Sequence, residues 1–242
     1  MYLSQAKSKC YKNLKQLKNY ILMLLLVVFI STNAQSITAI INKSDYPFWI
    51  SIPKEYKENK KIPLLFFLHG KSLSGTDMNR VKRYGVLRAM EKGRKIPGIV
   101  VAPQLASGAW DAKKLLEVLK YVETNYNVDD DRVYVCGMSL GAYGTLEFAG
   151  KYSNKIAAAV AICGGGNVGD ACNLSKIPVW IQHGDADKAV NISESKKIVD
   201  AIKKCCKNSK LTFTTIKGGT HSSVEQLFHE DAIYDWMFKQ EK

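Results

Sequence analysis

A serine lies between two glycines, each two residues away, in Gly137-Met138-Ser139-Leu140-Gly141. The apolar stretch 133–137 before it reads as a strand and residues 140–150 after it read as a helix. In that setting the pattern is a nucleophile elbow. The chain turns so sharply from strand to helix that the positions two before and two after the serine must be small, and the serine oxygen is left exposed. A serine hydroxyl needs a base, and the base needs a group to orient it. His221 is the candidate base, in the glycine-rich loop Gly218-Gly219-Thr220-His221-Ser222 between the strand pattern 211–216 and a last helical pattern. Two carboxylates, Asp185 and Asp187, follow the strand pattern 179–183. We assign Asp187 to the imidazole, and Asp185 to capping or bonding the loop backbone. The chain order Ser139, Asp187, His221 is one of the three orders in which such constellations recur.

An acyl-transfer site also needs backbone N–H groups aimed at the oxygen that becomes negative. The strand pattern 63–69 ends in His69-Gly70-Lys71-Ser72, and we assign the Lys71 N–H and the Leu140 N–H to that oxyanion hole. His69 is the alternative base, but it precedes the serine and closes an apolar strand pattern, so it reads as structural, as does His183; His229 falls within a helical pattern, at its surface. No CxxC or Cys/His grouping has metal-ligand spacing, so no metal or other cofactor is expected. The glycine run Gly164–Gly166 lacks the Lys-Ser/Thr that would make it a phosphate cradle.

The elements that must position these residues alternate. Short apolar runs at 48–52, 63–69, 99–102, 133–137, 157–163, 179–183 and 211–216 read as strands buried on both faces. Helical patterns occupy 111–126, 140–150, 193–205 and 222–239. Alternation of this kind predicts an α/β domain with a mostly parallel central sheet and helices on both faces. Such sheets present ligand sites at the carboxyl ends of their strands, where the candidate residues fall.

The chain has 242 residues, 46% of them apolar, enough for one sizeable core. A net charge of +13 includes Lys7, Lys9, Lys12, Lys15 and Lys18, ahead of the apolar run 21–30. Ten apolar residues are too few to span a bilayer. With Thr32 and Ala34 ahead of Gln35, residues 1–34 read as a signal peptide and 35–242 as one catalytic domain, secreted or periplasmic, with no stable membrane anchor. The alternative is an uncleaved signal anchor. The other basic residues are dispersed among acids, so the charge does not call for a nucleic-acid partner. Beyond the leader, the cysteines are Cys136, Cys163, Cys172, Cys205 and Cys206. Cys136 reads as a buried free thiol. Cys163 and Cys172 flank the glycine-rich loop and can pair after export, whereas a bond between the adjacent Cys205 and Cys206 would be strained.

With these pieces in hand, the chain resembles the α/β-hydrolase superfamily. Within it, it is similar to small secreted esterases and predicted peptidases near dienelactone hydrolases, phospholipase/carboxylesterase-type enzymes and feruloyl esterases. The matching pieces are Leu68-His69-Gly70, Val101-Ala102-Pro103-Gln104, the elbow through Gly144, Ile162-Cys163-Gly164-Gly165-Gly166, His183-Gly184-Asp185-Ala186-Asp187 and Gly219-Thr220-His221. The resemblance implies a serine hydrolase without a cap domain, since 164–176 is too short for one. It implies Asp187 as the acid and the Lys71 and Leu140 amides as the oxyanion hole; many relatives carry a smaller residue where Lys71 stands. It also suggests Trp110 as a wall of the substrate site, against a plainer reading in which Trp110 is buried and Asp111 caps a helix. Lys71, Arg80, Lys82 and Arg83 suggest a preference for acidic substrates, or simply a solvated basic face. The expected partner is a carboxylic ester, with acetyl or feruloyl esters of polysaccharides as candidates. A serine peptidase and a non-catalytic binding protein of the same fold are the alternatives.

Overall fold

The computed structural model describes residues 36–242; the expected signal peptide, residues 1–34, lies outside them. Among the described residues, eight strands form one sheet: β1 (Ser36–Ile40), β2 (Phe48–Ile52), β3 (Ile62–Leu68), β4 (Ile99–Pro103), β5 (Val128–Met138), β6 (Ala158–Ile162), β7 (Val179–Gly184) and β8 (Leu211–Ile216). Their order is β1-β2-β4-β3-β5-β6-β7-β8. β1 pairs antiparallel with β2, and β2 with β4, while every other pairing is parallel. This is the mostly parallel α/β sheet that the strand–helix alternation predicts, in the α/β-hydrolase fold that the resemblance implies.

Side-chain alternation along the strands divides the core in two. From β3, Leu64, Phe66 and Leu68 join one buried cluster, and Leu65 and Phe67 the other. The first cluster lies under α2 (Ala112–Asn125), α3 (Leu140–Lys151), α4 (Ala171–Leu174) and α5 (Ser193–Cys205). The second is covered by α1 (Val86–Glu91), the 3₁₀ turn Ser223–His229 and α6 (Ala232–Met237). Asp111 caps α2 by accepting from the Lys113 and Lys114 amides at 2.7 and 3.2 Å, as a residue of its type does at a helix start.

Several elements depart from expectation, among them the short helices α1 and α4, which were not expected. β1 was not expected: its five residues are half-exposed at the sheet edge rather than buried on both faces. β5 begins five residues early because the acidic stretch Asp129–Asp131 continues the strand on its solvent side. The last helical pattern is broken into a 3₁₀ turn and a short α-helix. There the Phe228 carbonyl accepts from the Tyr234 hydroxyl and the His229 carbonyl from the Arg94 guanidinium. Those side chains take carbonyls that a continuous helix would spend on its own backbone. No helix among the described residues is long and apolar enough to cross a membrane.

The cysteine pairing also differs. Cys172 is bonded to Cys205, 33 residues away, which ties α4 to the end of α5. Cys163, the partner expected for Cys172, is a buried free thiol, as is Cys136. Cys172 and Cys205 are remote in sequence, and only the packing of α4 against α5 brings them together. Closing a loop of that length stabilises the folded state by roughly 3–4 kcal/mol in the chain-entropy picture. Cys172→Ser is therefore expected to lower the melting temperature measurably, and dithiothreitol to lower that of the wild type but not of the variant.

Candidate active site

β5 ends at Met138 and α3 begins at Leu140; Ser139 between them has φ 58° and ψ −124°. For a residue with a Cβ that region is strained by about 1–3 kcal/mol, so the surroundings must impose it. They do so through the backbone. The Ser139 N–H donates to the Ile162 carbonyl at 2.9 Å, and its carbonyl accepts from the Ala142 and Tyr143 amides. A Cβ on Gly137 would strike the Gly141 carbonyl, and one on Gly141 would strike the Leu68 carbonyl. The two glycines of the motif are thus required by backbone-to-backbone contact.

Asp187 follows β7 in a tight loop, with its side chain fully buried. Its Oδ1 accepts from the Ala189 and Val190 amides at 2.8 and 2.9 Å. Its Oδ2 accepts from Nδ1 of His221 at 2.7 Å. Burial alone would push this carboxyl up; the Val190 amide, His221, the Ala189 amide and the Cys163 thiol together hold it below the ordinary carboxylate value. Since Nδ1 of His221 carries the proton given to Asp187, Nε2 is the nitrogen left with a lone pair. Asp185 accepts from the Gly218 amide at 2.6 Å and so anchors the loop that carries His221. The structure thus joins His221 to Asp187 directly and uses Asp185 to hold the loop backbone.

Ser139 and His221 line one cavity of about 460 Å³, with Gly70, Lys71, Ser72, Tyr84, Met138, Ser222 and Glu225. Lys71 opens the 3₁₀ turn Lys71–Leu73 and Leu140 opens α3. The first N–H groups of a helical turn have no partner within it. An arrangement of this kind can move a proton from a serine hydroxyl to an imidazole held by a carboxylate. It can also offer amides to a developing oxyanion.

Trp110 is not among the lining residues. It is 3% exposed, its indole N–H donates to the His69 carbonyl at 3.1 Å, and it lies against the face of Gly144 in α3. The expectation that it walls the substrate site is replaced by a packing role, with Asp111 as the helix cap. Of the four basic residues after β3, only Lys71 reaches the cavity. Arg80 donates to the Leu73 and Ser72 carbonyls, and the Lys82 ammonium sits 3.3 Å over the Trp49 ring. Tyr84 and Glu225 were missed because no motif surrounds them and they meet only when the segments after β3 and β8 converge.

The remaining histidines have structural partners. His183 is buried, with Nε2 2.9 Å from the Val190 carbonyl and Nδ1 2.7 Å from Ser195 Oγ. Its Nε2 also lies 3.5 Å from Asp187, so Ser195, His183 and Asp187 form a second constellation of triad composition. Ser195 is fully buried, however, and its hydroxyl donates to the Gly164 carbonyl. That serine has no face from which an acyl group could approach, and the set braces the Asp187 loop. His229, expected at a helix surface, is partly buried and paired with Glu225 at 3.0 Å. Cys163, His183 and Asp187 each bring a ligand-type atom within 4.8 Å of the others, a cluster that spacing did not reveal. Their atoms are already engaged: His183 with Val190, Asp187 with His221 and Cys163 with Asp187.

A sequence profile of the phospholipase/carboxylesterase family matches residues 104–234, more than half of the chain, and the chain belongs to that family. Feruloyl esterase D of Neurospora crassa is 25% identical over 182 residues, 69% of this chain and 62% of the relative. A bifunctional acetylxylan esterase/xylanase of Neocallimastix patriciarum is 32% identical over 88 residues, 36% of this chain and 13% of the relative. The matched part thus spans about three-fifths of the first relative and a small part of the second. Among solved structures, a thermostable esterase superposes with a TM-score of 0.74 at 26% identity, covering 85% of this chain and 63% of that one. The feruloyl esterase module of Clostridium thermocellum, complexed with sinapinate, has a TM-score of 0.63 at 17% identity, covering 84% and 88%, and shares the fold.

His69 generates a pH test. It is buried at the end of β3, with Nδ1 2.8 Å from the Gly70 carbonyl and Nε2 accepting from the Leu105 amide at 3.1 Å. Burial lowers its pKa from 6.5 to about 4 against a smaller opposing effect of the Gly70 bond, and the Arg80 charge adds to the lowering. The unfolded chain therefore takes up this proton first. The contribution is complete above pH 6.5 and is lost as pH falls towards 4, by about 3 kcal/mol in all. Urea midpoints measured from pH 7 to pH 4 are expected to fall more steeply for the wild type than for His69→Gln, whose amide can keep the Leu105 contact.

Proposed function

We propose that this protein hydrolyses carboxylic esters through an acyl-enzyme on Ser139. In this reading His221 takes the serine proton as Ser139 attacks the acyl carbonyl, and returns it to the departing alcohol. Asp187 fixes the imidazole and stabilises its charged form, and water then repeats the cycle on the acyl-enzyme. The Lys71 and Leu140 amides receive the oxyanion, and no metal or other cofactor takes part. The observation that carries the reading is the 2.7 Å bond from His221 to Asp187, in a loop that lines the same cavity as Ser139. The single charged bond fixes the imidazole tautomer, which is what the chemistry requires of a base.

For the substrate we propose acetyl or feruloyl esters on plant polysaccharide. The support is the relatives' chemistry: one is called a feruloyl esterase and another a bifunctional acetylxylan esterase/xylanase. We further propose that the protein works outside the cytoplasm, which the Cys172–Cys205 disulfide favours, since such bonds persist in oxidising compartments.

Ser139→Ala is expected to abolish saturable turnover of p-nitrophenyl acetate with little change in melting temperature. A fluorophosphonate probe should label the wild type at Ser139 and leave the variant unlabelled. Saturable hydrolysis by the variant would overturn the assignment of Ser139. Release of ferulate from methyl ferulate or of acetate from acetylated xylan, without cleavage of peptide substrates, would separate an esterase from a peptidase of this fold.

A further inference from the structure

Tyr84 lines the cavity beside Ser139 and His221, yet the reaction as written gives it no task. A phenolic hydroxyl has one proton to give and oxygen lone pairs to receive with. Here the Gly70 N–H donates to Tyr84 Oη at 2.9 Å, and the Ser72 hydroxyl donates to the same oxygen at a longer 3.4 Å. The Tyr84 O–H itself meets no acceptor among the described residues. A buried-edge hydroxyl that receives from both sides is left to donate outward, into the cavity.

Its position matters as much as its free proton. A Cβ built on Gly70 would lie 2.7 Å from Tyr84 Oη and 3.2 Å from Ser139 Cβ. The phenol oxygen and the serine side chain therefore flank one small region of space, next to the residue whose amide is assigned to the oxyanion. The ring is held from behind, packed against the second core cluster. The following residue, Gly85, is tied through its N–H to Glu225 at 2.9 Å. Burial pushes the phenol pKa up; the bonds from Ser72 and Gly70 oppose this and the Glu225 charge adds to it, so the group stays a neutral donor.

We propose that the Tyr84 hydroxyl is a third donor to the oxyanion, beside the Lys71 and Leu140 amides. This rests on the reading of Ser139 as nucleophile. As the Ser139 oxygen bonds to the acyl carbon, the carbonyl π pair moves onto its oxygen and the serine proton passes to Nε2 of His221. The Tyr84 O–H donates a hydrogen bond to that oxygen without giving up its proton. Collapse restores the carbonyl, breaks the bond to the leaving oxygen and sends the His221 proton there. The acid and base inventory of the site is unchanged by Tyr84; only the charge at the tetrahedral stage is better received.

Fluorophosphonate labelling of wild-type Ser139 comes first, because failure to label overturns the underlying reading and not the role of Tyr84 alone. With labelling established, Tyr84→Phe is expected to lower kcat on phenyl acetate by about 10²–10³-fold with KM nearly unchanged. Binding of a trifluoromethyl ketone, which forms a tetrahedral adduct, should weaken by a comparable factor. Phenylalanine also removes the acceptor of the Gly70 amide, so a second variant separates bracing from donation. Trifluorotyrosine at position 84 keeps the ring and the acceptor but lowers the phenol pKa. It is expected to retain activity at neutral pH and to move the alkaline limb of kcat to lower pH, because the phenolate cannot donate. Turnover of Tyr84→Phe within threefold of wild type, a change confined to KM, or an alkaline limb that trifluorotyrosine leaves in place would each overturn the proposal.

Discussion

The backbone of Gly141, in the first turn of α3, presses on the Leu68 carbonyl more closely than any side chain would allow, and Gly137 lies under Gly141 in the same way. This contact governs the rest of the molecule's chemistry. It forces the chain to leave β5 and enter α3 within one residue, and that residue, Ser139, takes a positive φ as a result. Strain at one serine is tolerable because its support is closely packed: β3 and the part of β5 from Val133 onward are buried, and the helix above them is buried along most of its length. The same geometry starts α3 directly after the serine, where the first amides have no partner within the helix.

Around that fixed point the other groups are held by redundancy. Asp187 is bound by two amides and an imidazole, and braced by a second histidine. Asp185 holds the His221 loop by its backbone, so the distance between β7 and the segment after β8 is set twice. The buried Ser195–His183 pair shows how composition alone misleads. It repeats the residue types of the proposed triad, yet its serine gives its only proton to a backbone carbonyl. What separates the proposed nucleophile from this structural serine is access: Ser139 lines a cavity and Ser195 is fully buried.

Much of the site was legible in the chain. The elbow at Ser139 was readable because steric demand restricts residue choice at Gly137 and Gly141. The two carboxylates after β7 and the histidine after β8 were readable because parallel sheets gather their strand ends at one edge. The wall of the cavity was not. Trp110 stands where a strand end predicts a site residue, but its indole found a carbonyl and a glycine face to pack on, and it turned into the core. Tyr84 stands in a charged, motif-free segment and reaches the cavity only because its oxygen receives the Gly70 amide. The disulfide was equally hidden, since its partners lie on two helices whose approach no local pattern encodes.

By itself, the sequence determined most of the succession of strands and helices, the class of sheet, and which serine, carboxylates and histidine stand at the strand ends. Those features follow from local causes: periodicity of apolar residues, the small residues a sharp turn demands, and the chain positions where strands end. Only the tertiary structure decided which side chains face the cavity, which histidines are spent on carbonyls and which cysteines meet. Those outcomes depend on hydrogen-bond partners supplied by segments far away in the chain, and a polar side chain points wherever folding leaves such a partner.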